Sequence, residues 1–250
     1  LLIHQGGLVK TQAFKDAKYV GDPINAVRIF NEKEADELMV LDIDATVQGR
    51  APDFALIAKL AAECRMPLCY GGGVSTAEQA ARIVDMGVEK VAVSAAAIQN
   101  PMLLTEMAAA VGRQSVVAVL DVRKKQGIFV KGLEVCTHNA KTAHKTDPVL
   151  LAQQMQDAGA GEVVINSVDR DGLMQGYDID MAQSFKQALR VPVTFMGGAG
   201  STEHLAELVG HLGVVGAAAG SLFVFKGKYR AVLINYPTPA QKILICKQSF

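Results

Sequence analysis

The 250-residue chain is half hydrophobic but only 6% aromatic and lacks tryptophan, a composition suited to one α/β domain with a core of Val, Ile, Leu and Ala. Its 25 Lys and Arg balance 25 Asp and Glu, so no global basic field recommends a nucleic-acid partner. Cys64, Cys69, Cys136 and Cys246 have neither the spacing of a zinc site nor the density of a disulfide framework, and no apolar stretch approaches the ~20 residues of a membrane span. These features predict reduced thiols, a cytoplasmic location and no membrane partner. The chain begins at Leu1 inside an apolar run and without Met, so an N-terminal truncation is expected ahead of a single domain over residues 1–250.

In chain order, short apolar runs alternate with helical periods. Strands are predicted at Leu1–Ile3, Leu38–Ile43, Pro67–Tyr70, Val91–Ser94, Val116–Val122, Glu162–Ser167, Val193–Met196 and Val214–Ala219. Helical periodicity covers Ile24–Asn31, Phe54–Glu63, Ala77–Met86, Met102–Val111, Val149–Ala158, Met181–Leu189 and Thr202–His211. Eight strands separated by helices, with no Pro/Gly/Ser linker, predict a (β/α)8 TIM barrel. A doubly wound open sheet is the alternative, but no GxGxxG dinucleotide turn accompanies it. After the fifth strand, Arg123–Thr146 contains an alternating run, Ile128–Val135, and a polar stretch, Thr137–Lys145, which predict a hairpin and a mobile loop over the barrel mouth.

An internal repeat runs through this order. Gly71-Gly72-Gly73-Val74-Ser75-Thr76 follows one short strand, and Gly197-Gly198-Ala199-Gly200-Ser201-Thr202 follows another. Further along, Met86-Gly87-Val88 aligns with Leu212-Gly213-Val214, and Gln5–Lys10 resembles Gln126–Lys131. A half-barrel duplication accounts for all of these. Glycines let backbone N–H groups approach a ligand, and a Ser or Thr can cap a helix whose N-terminus attracts anions, so each turn is a candidate phosphate cradle. A tight turn needing positive φ is the alternative, which the repeat makes less favourable.

Catalytic groups of such barrels lie at the C-terminal ends of strands. Asp121, flanked by Leu120 and Val122, is the leading acid/base candidate, because burial would raise its pKa. The repeat aligns Leu120-Asp121-Val122 with Leu1-Leu2-Ile3, so Leu2 stands where a partner carboxylate would be. In Asp169-Arg170-Asp171-Gly172 a carboxylate could bind substrate hydroxyls, or the run could be an Asp-Gly turn. Asp42 could anchor a loop, and Lys10, in the first loop, could meet a phosphate or lie exposed. None of the five histidines is placed with a metal-ligand partner, so neither a metal nor a cofactor is expected. Glu37, Lys90 and Glu162 stand at the N-terminal ends of the even strands, where charges are ordinarily just solvated.

Taken together, Val40-Leu-Asp-Ile-Asp44, Tyr70-Gly-Gly-Gly-Val74, Val168–Asp178 and Gly197-Gly-Ala-Gly200 resemble the cyclase subunit of imidazole glycerol phosphate synthase, the HisF family, from Leu1 to about Tyr236. The resemblance implies a duplicated (β/α)8 fold whose ligand carries a phosphate at each end. One phosphate would meet Gly72, Gly73 and Ser94, and the other Gly198, Gly200, Gly220 and Ser221. Asp121, Asp171 and Lys10 would serve catalysis. It further implies a glutaminase docked at the opposite end, delivering ammonia through a gate that maps to Glu37, Lys90 and Glu162.

Two departures stand out: Leu2 replaces the first of the family's two catalytic aspartates, and Ser94-Ala95 replaces the usual Asn-Thr. Gln5–Thr11, Tyr19–Asn25, Gly220–Phe225 and Val232–Pro237 resemble a paralogous branch associated with surface-polysaccharide sugar biosynthesis. There the barrel pairs with a HisH-like glutaminase and passes ammonia to a sugar amidotransferase that makes an acetamidino group. A cyclase of histidine biosynthesis and a non-catalytic phosphosugar-binding barrel are the alternatives. The phosphosugar isomerase of the same pathway fits less well, because it too relies on two carboxylates.

Overall fold

The computed structural model describes residues 1–127 and 131–247. In chain order its elements begin with β1 (Leu2–His4), β2 (Gly7–Gln12), β3 (Lys15–Gly21), α1 (Pro23–Glu32), β4 (Leu38–Asp42), α2 (Phe54–Glu63), β5 (Leu68–Gly71) and α3 (Ala77–Asp85). They continue with β6 (Lys90–Val93), α4 (Ala95–Gln99), α5 (Met102–Val111), β7 (Val116–Lys124), β8 (Leu133–Thr137), β9 (Thr142–His144), α6 (Pro148–Ala158) and β10 (Glu162–Ser167). The last are α7 (Ile179–Ala188), β11 (Val193–Met196), α8 (Thr202–Leu212), β12 (Gly216–Ala217), α9 (Ser221–Val224), β13 (Phe225–Lys226), β14 (Ala231–Val232) and α10 (Pro239–Lys247). This alternation of parallel strands and helices is that of the (β/α)8 class.

The chain forms two compact units. The first comprises Leu1–Lys10, Lys18–Ala118 and Met155–Glu162. Within it, β4 pairs in parallel with β1 (Leu2 opposite Leu41) and β5 (Val40 opposite Tyr70), β5 with β6 (Tyr70 opposite Val91), and β6 with the start of β7 (Val91 opposite Val116). Strands covered on both faces read as continuous apolar runs, and β5 is buried along its whole length. Ile57, Leu60, Tyr70, Ile83, Leu104 and Met107 are fully buried in this unit. Asp22 caps α1, with Pro23 at its first turn. Thr76 and Gln79 close a capping box at the start of α3.

The second unit comprises Thr11–Ala17, Val119–Gln154 and Val163–Phe250. Here β10 pairs in parallel with β11 (Asn166 opposite Met196) and β11 with β12 (Thr194 opposite Gly216). Every residue of β10 is buried, and Leu120, Ile165, Phe185 and Phe195 supply large core side chains. The units share internal devices, as the repeat predicts. Each has a strand followed by a glycine turn and a helix, namely β5 to α3 and β11 to α8. Each also has an antiparallel partner on its leading strand, β2 on β1 and β8 on β7.

Four expectations need correction. The first loop is strand, because Gln5 (φ 50°) and Gly6 (φ 78°) make a two-residue hairpin turn, which places Lys10 inside β2 and buries it. The polar stretch after the fifth strand carries β9 where a mobile loop is expected: left-handed His138, Asn139 and Ala140 turn the chain so that His144 opposes Val135 of β8, and β8 itself pairs antiparallel with β7, Cys136 opposite Asp121. Arg123 fixes that turn by donating to Glu134 at 2.7 Å and to the Ala140 carbonyl at 2.9 Å. The eighth strand shrinks to Gly216–Ala217, with Val214 92% exposed, because its small residues offer little side chain to pack. Finally, α10 lies beyond the part of the chain whose helical period was recognised. Ile128–Val130, the start of the expected hairpin run, lies outside the described residues.

The capping box gives a local test. Replacing Thr76 by Ala removes the acceptor for the Gln79 N–H, and is expected to cost about 1 kcal/mol in a denaturant titration.

Candidate functional site

Four groups hold most of the residues singled out by sequence, and each lies within one unit. In the first unit, Glu37 immediately precedes β4, Lys90 opens β6 and Glu162 opens β10, so all three sit at N-terminal strand ends. The structure joins them: Lys90 Nζ donates to both Glu37 oxygens, at 2.9 and 3.0 Å, and to Glu162 Oε2 at 2.8 Å. Burial disfavours the lysine charge, but bonds to Glu162 and Glu37 outweigh it and hold its pKa above the usual lysine range. The Lys90 side chain is only 24% exposed, so these charges are not merely solvated. Buried Cys69 lies in their field; burial first, then Glu37 and Glu162, push its thiol upward and keep it protonated.

At the C-terminal end of β5 in the same unit stand Gly72 (φ 115°) and Gly73 (φ 73°). A Cβ on Gly72 would come within 2.3 Å of the Asp42 carbonyl oxygen, and one on Gly73 within 2.5 Å of the Arg50 carbonyl oxygen. Backbone packing therefore requires these glycines whether or not an anion binds. The Gly73 N–H donates to Thr46 Oγ1 at 3.3 Å. Ser94 takes the N-cap position of α4 without making a side-chain cap bond. Asp42 is a loop anchor: Oδ1 accepts from the Asp44 and Ala45 N–H groups at 2.9 and 3.0 Å, and Arg50 lies 3.6 Å from Oδ2. This end also carries a pair that sequence reading missed, His4 Nδ1 at 2.7 Å from Asp44 Oδ1. The period-2 face shared by Leu2 and His4 was the available signal.

In the second unit, Asp121 on β7 accepts from Asn166 Nδ2 at 2.9 Å. Its pKa is pushed up to about 6 by burial, against the Asn166 hydrogen bond and with a smaller contribution from the Asp171 charge. Asp171 Oδ2 accepts from Thr11 Oγ1 at 2.6 Å. Asp169 and Arg170 are occupied by backbone groups: Asp169 accepts the Lys124 N–H at 2.7 Å, and Arg170 donates to the Gln175 and Gly176 carbonyls. Thus within Asp169–Gly172 the Asp121–Asp171 electrostatic coupling singles out Asp171. A protonated Asp121 could give a proton near neutral pH and an ionised one could take it back.

The second glycine turn is also fixed by backbone contact. A Cβ on Gly198 would come within 2.1 Å of the Gly176 carbonyl oxygen, and one on Gly200 within 2.3 Å of the Met174 carbonyl oxygen. The specific run Val168–Asp178 is thus shaped to lie against Gly197–Gly200. Ser201 occupies the N-cap of α8 without a side-chain cap bond, unlike Thr76 in the first turn. The Gly200 N–H donates to His204 Nδ1 at 3.1 Å, and Gly220 and buried Ser221 begin α9.

Residues 1–230 match the family model described as histidine biosynthesis protein. The chain is 54% identical over 242 residues to "Putative imidazole glycerol phosphate synthase subunit hisF3" of Vibrio vulnificus, covering 97% of this chain and 92% of that protein. It is 52% identical over 242 residues to "Putative imidazole glycerol phosphate synthase subunit HisF" of Leptospira interrogans, covering 97% and 94%. Against "Imidazole glycerol phosphate synthase subunit HisF" of Clavibacter michiganensis the identity is 37% over 218 residues, covering 87% and 82%.

The raised pKa of Asp121 has a measurable sign. Between its unfolded value near 4 and its folded value of about 6, the native state holds a proton that the unfolded chain has released, so this group lowers stability as pH rises through that window. Asp121→Asn is expected to be more stable than the parent above pH 6, on the order of 2 kcal/mol, and to lose that advantage near pH 4, as read by denaturant titration across pH.

Proposed function

The chain belongs to the histidine biosynthesis protein family as a HisF-type synthase subunit, and from this premise we propose that it docks a HisH-like glutaminase and receives the ammonia released there. The observation that carries the proposal is Lys90 held between Glu37 and Glu162 at the N-terminal strand ends, a charged gate that ammonia would pass. Leu2 in place of a carboxylate favours delivery of that ammonia to a sugar amidotransferase, for amidination of a nucleotide sugar in surface-polysaccharide biosynthesis. Loss of an acid/base group removes about 10²–10⁴-fold in rate from a step that needs it. Within the first unit Gly72, Gly73 and Ser94 would hold a phosphate, with Lys10 as a further cation for it. Within the second unit Gly198, Gly200, Gly220 and Ser221 would hold a phosphate, with Asp121 and Asp171 serving any chemistry retained there.

A second reading, the cyclase of histidine biosynthesis, is favoured by Asp121, whose pKa of about 6 suits proton transfer near neutral pH. One reconstitution separates the two. Mixed with its glutaminase, the chain is expected to stimulate glutamine hydrolysis while forming little imidazole glycerol phosphate from the cyclase substrate. Lys90→Met should lower the yield of transferred nitrogen per glutamine hydrolysed, whereas Leu2→Asp should raise cyclase turnover by about 10²-fold or more. Robust imidazole glycerol phosphate formation by the parent chain would instead support the cyclase reading, and unchanged glutamine hydrolysis would count against both.

A further inference from the structure

We propose that His4 and Asp44 form a proton-transfer pair serving a nitrogen nucleophile at the C-terminal strand ends of the first unit. The proposal rests on the reading that this subunit handles ammonia. His4 ends β1, and strand alternation puts it on the face of Leu2, about 7 Å along the chain, while Ile3 between them is buried on the other. Glu37 precedes β4 by one residue and His4 follows the Ile3–Asp42 pair by one, so along the strands the pair lies about 20 Å from the Lys90 cluster.

Asp44 is 7% exposed and both of its oxygens are engaged: Oδ1 lies 2.7 Å from His4 Nδ1, and Oδ2 accepts the Gln5 N–H at 2.8 Å. Burial alone would raise its pKa, but the Gln5 N–H and His4 outweigh it and hold the carboxyl below its usual range. An ionised carboxylate can only accept, so the proton between the two groups resides on Nδ1 and the lone pair on Nε2. Asp42 fixes the carboxylate from behind by accepting the Asp44 N–H, and the left-handed Gln5-Gly6 turn fixes it from the front. A pin for that turn would need only Asp44 and the Gln5 N–H. The imidazole adds a half-exposed base, its side chain 36% accessible, on the face where Leu2 offers none.

The step that such a pair performs conserves atoms and charge. The ammonia lone pair forms a C–N bond to an electrophilic carbon, and the nitrogen becomes cationic. His4 Nε2 takes one of its protons, and the imidazolium is balanced by Asp44. The same proton then goes to the departing oxygen or amine as its bond to that carbon breaks. His4 is the catalytic residue and Asp44 a positioning residue.

Diethyl pyrocarbonate acylates unprotonated histidine nitrogens and reads this activation directly. In the full chain at pH 8, with each histidine followed by mass spectrometry, His4 is expected to react about tenfold faster than surface-exposed His211, and Asp44→Asn to erase the difference. A His4 no faster than His211, or a rate that Asp44→Asn leaves unchanged or raises by loosening the turn, would overturn the proposal. A second measurement needs no variant: ¹⁵N-histidine NMR of the parent chain should find His4 with hydrogen on Nδ1, and hydrogen on Nε2 alone would overturn it equally. A glutaminase indifferent to the chain would sink the ammonia reading while leaving these rates as they are.

Discussion

Lys90 cannot be removed from between Glu37 and Glu162 without leaving two carboxylates facing one another at the mouths of β4, β6 and β10. Its ammonium makes three short bonds in a setting where burial disfavours the charge, so the cluster holds together only while all three members are present. Strand starts ordinarily carry charges in water. This one instead concentrates charge in a partly buried knot drawn from residues up to 125 positions apart in sequence, Glu37 to Glu162, while β1 carries Leu2 where the resemblance implies a carboxylate. That asymmetry underlies the functional proposal: ammonia would enter at the charged end, and a cyclase would need a carboxylate where Leu2 stands.

The glycine turns illustrate how one residue can satisfy two demands. Gly72, Gly73, Gly198 and Gly200 each face a backbone carbonyl so closely that a methyl group would collide with it. Packing alone explains their presence, and two of their N–H groups are already engaged, Gly73 by Thr46 and Gly200 by His204. Phosphate binding at these turns therefore has to draw on the remaining N–H groups and on Ser94 and Ser221. The turns also differ in how the following helix starts, Thr76 closing a capping box where Ser201 makes no cap bond.

The alternation of strands and helices was legible because period and turn signals are local. Phe54–Glu63 and Met102–Val111 appear in the structure as the helical pattern predicts, and the repeat announced itself through glycine spacing. The β1–β2 hairpin was not legible, since Gln5 at positive φ is not a residue that advertises a turn, and Lys10 moved from a presumed loop into a buried strand as a result. Asp121 was readable from its apolar neighbours, but its partner Asn166 comes from a strand 45 residues away. The His4–Asp44 pair escaped for a related reason: the alternation of β1 puts His4 on the face of Leu2, but its contact with Asp44 is set by the parallel register of β1 and β4.

The central claim is that a glutaminase seats over the Glu37–Lys90–Glu162 cluster. Hydrogen exchange of the chain with and without the glutaminase, read by mass spectrometry, tests it most directly. Slowed exchange at residues 36–38, 89–90 and 161–162, with the glycine turns at 72–76 and 197–202 unaffected, is the predicted result. Protection confined to the glycine turns, with the charged cluster exchanging as in the chain alone, would contradict it.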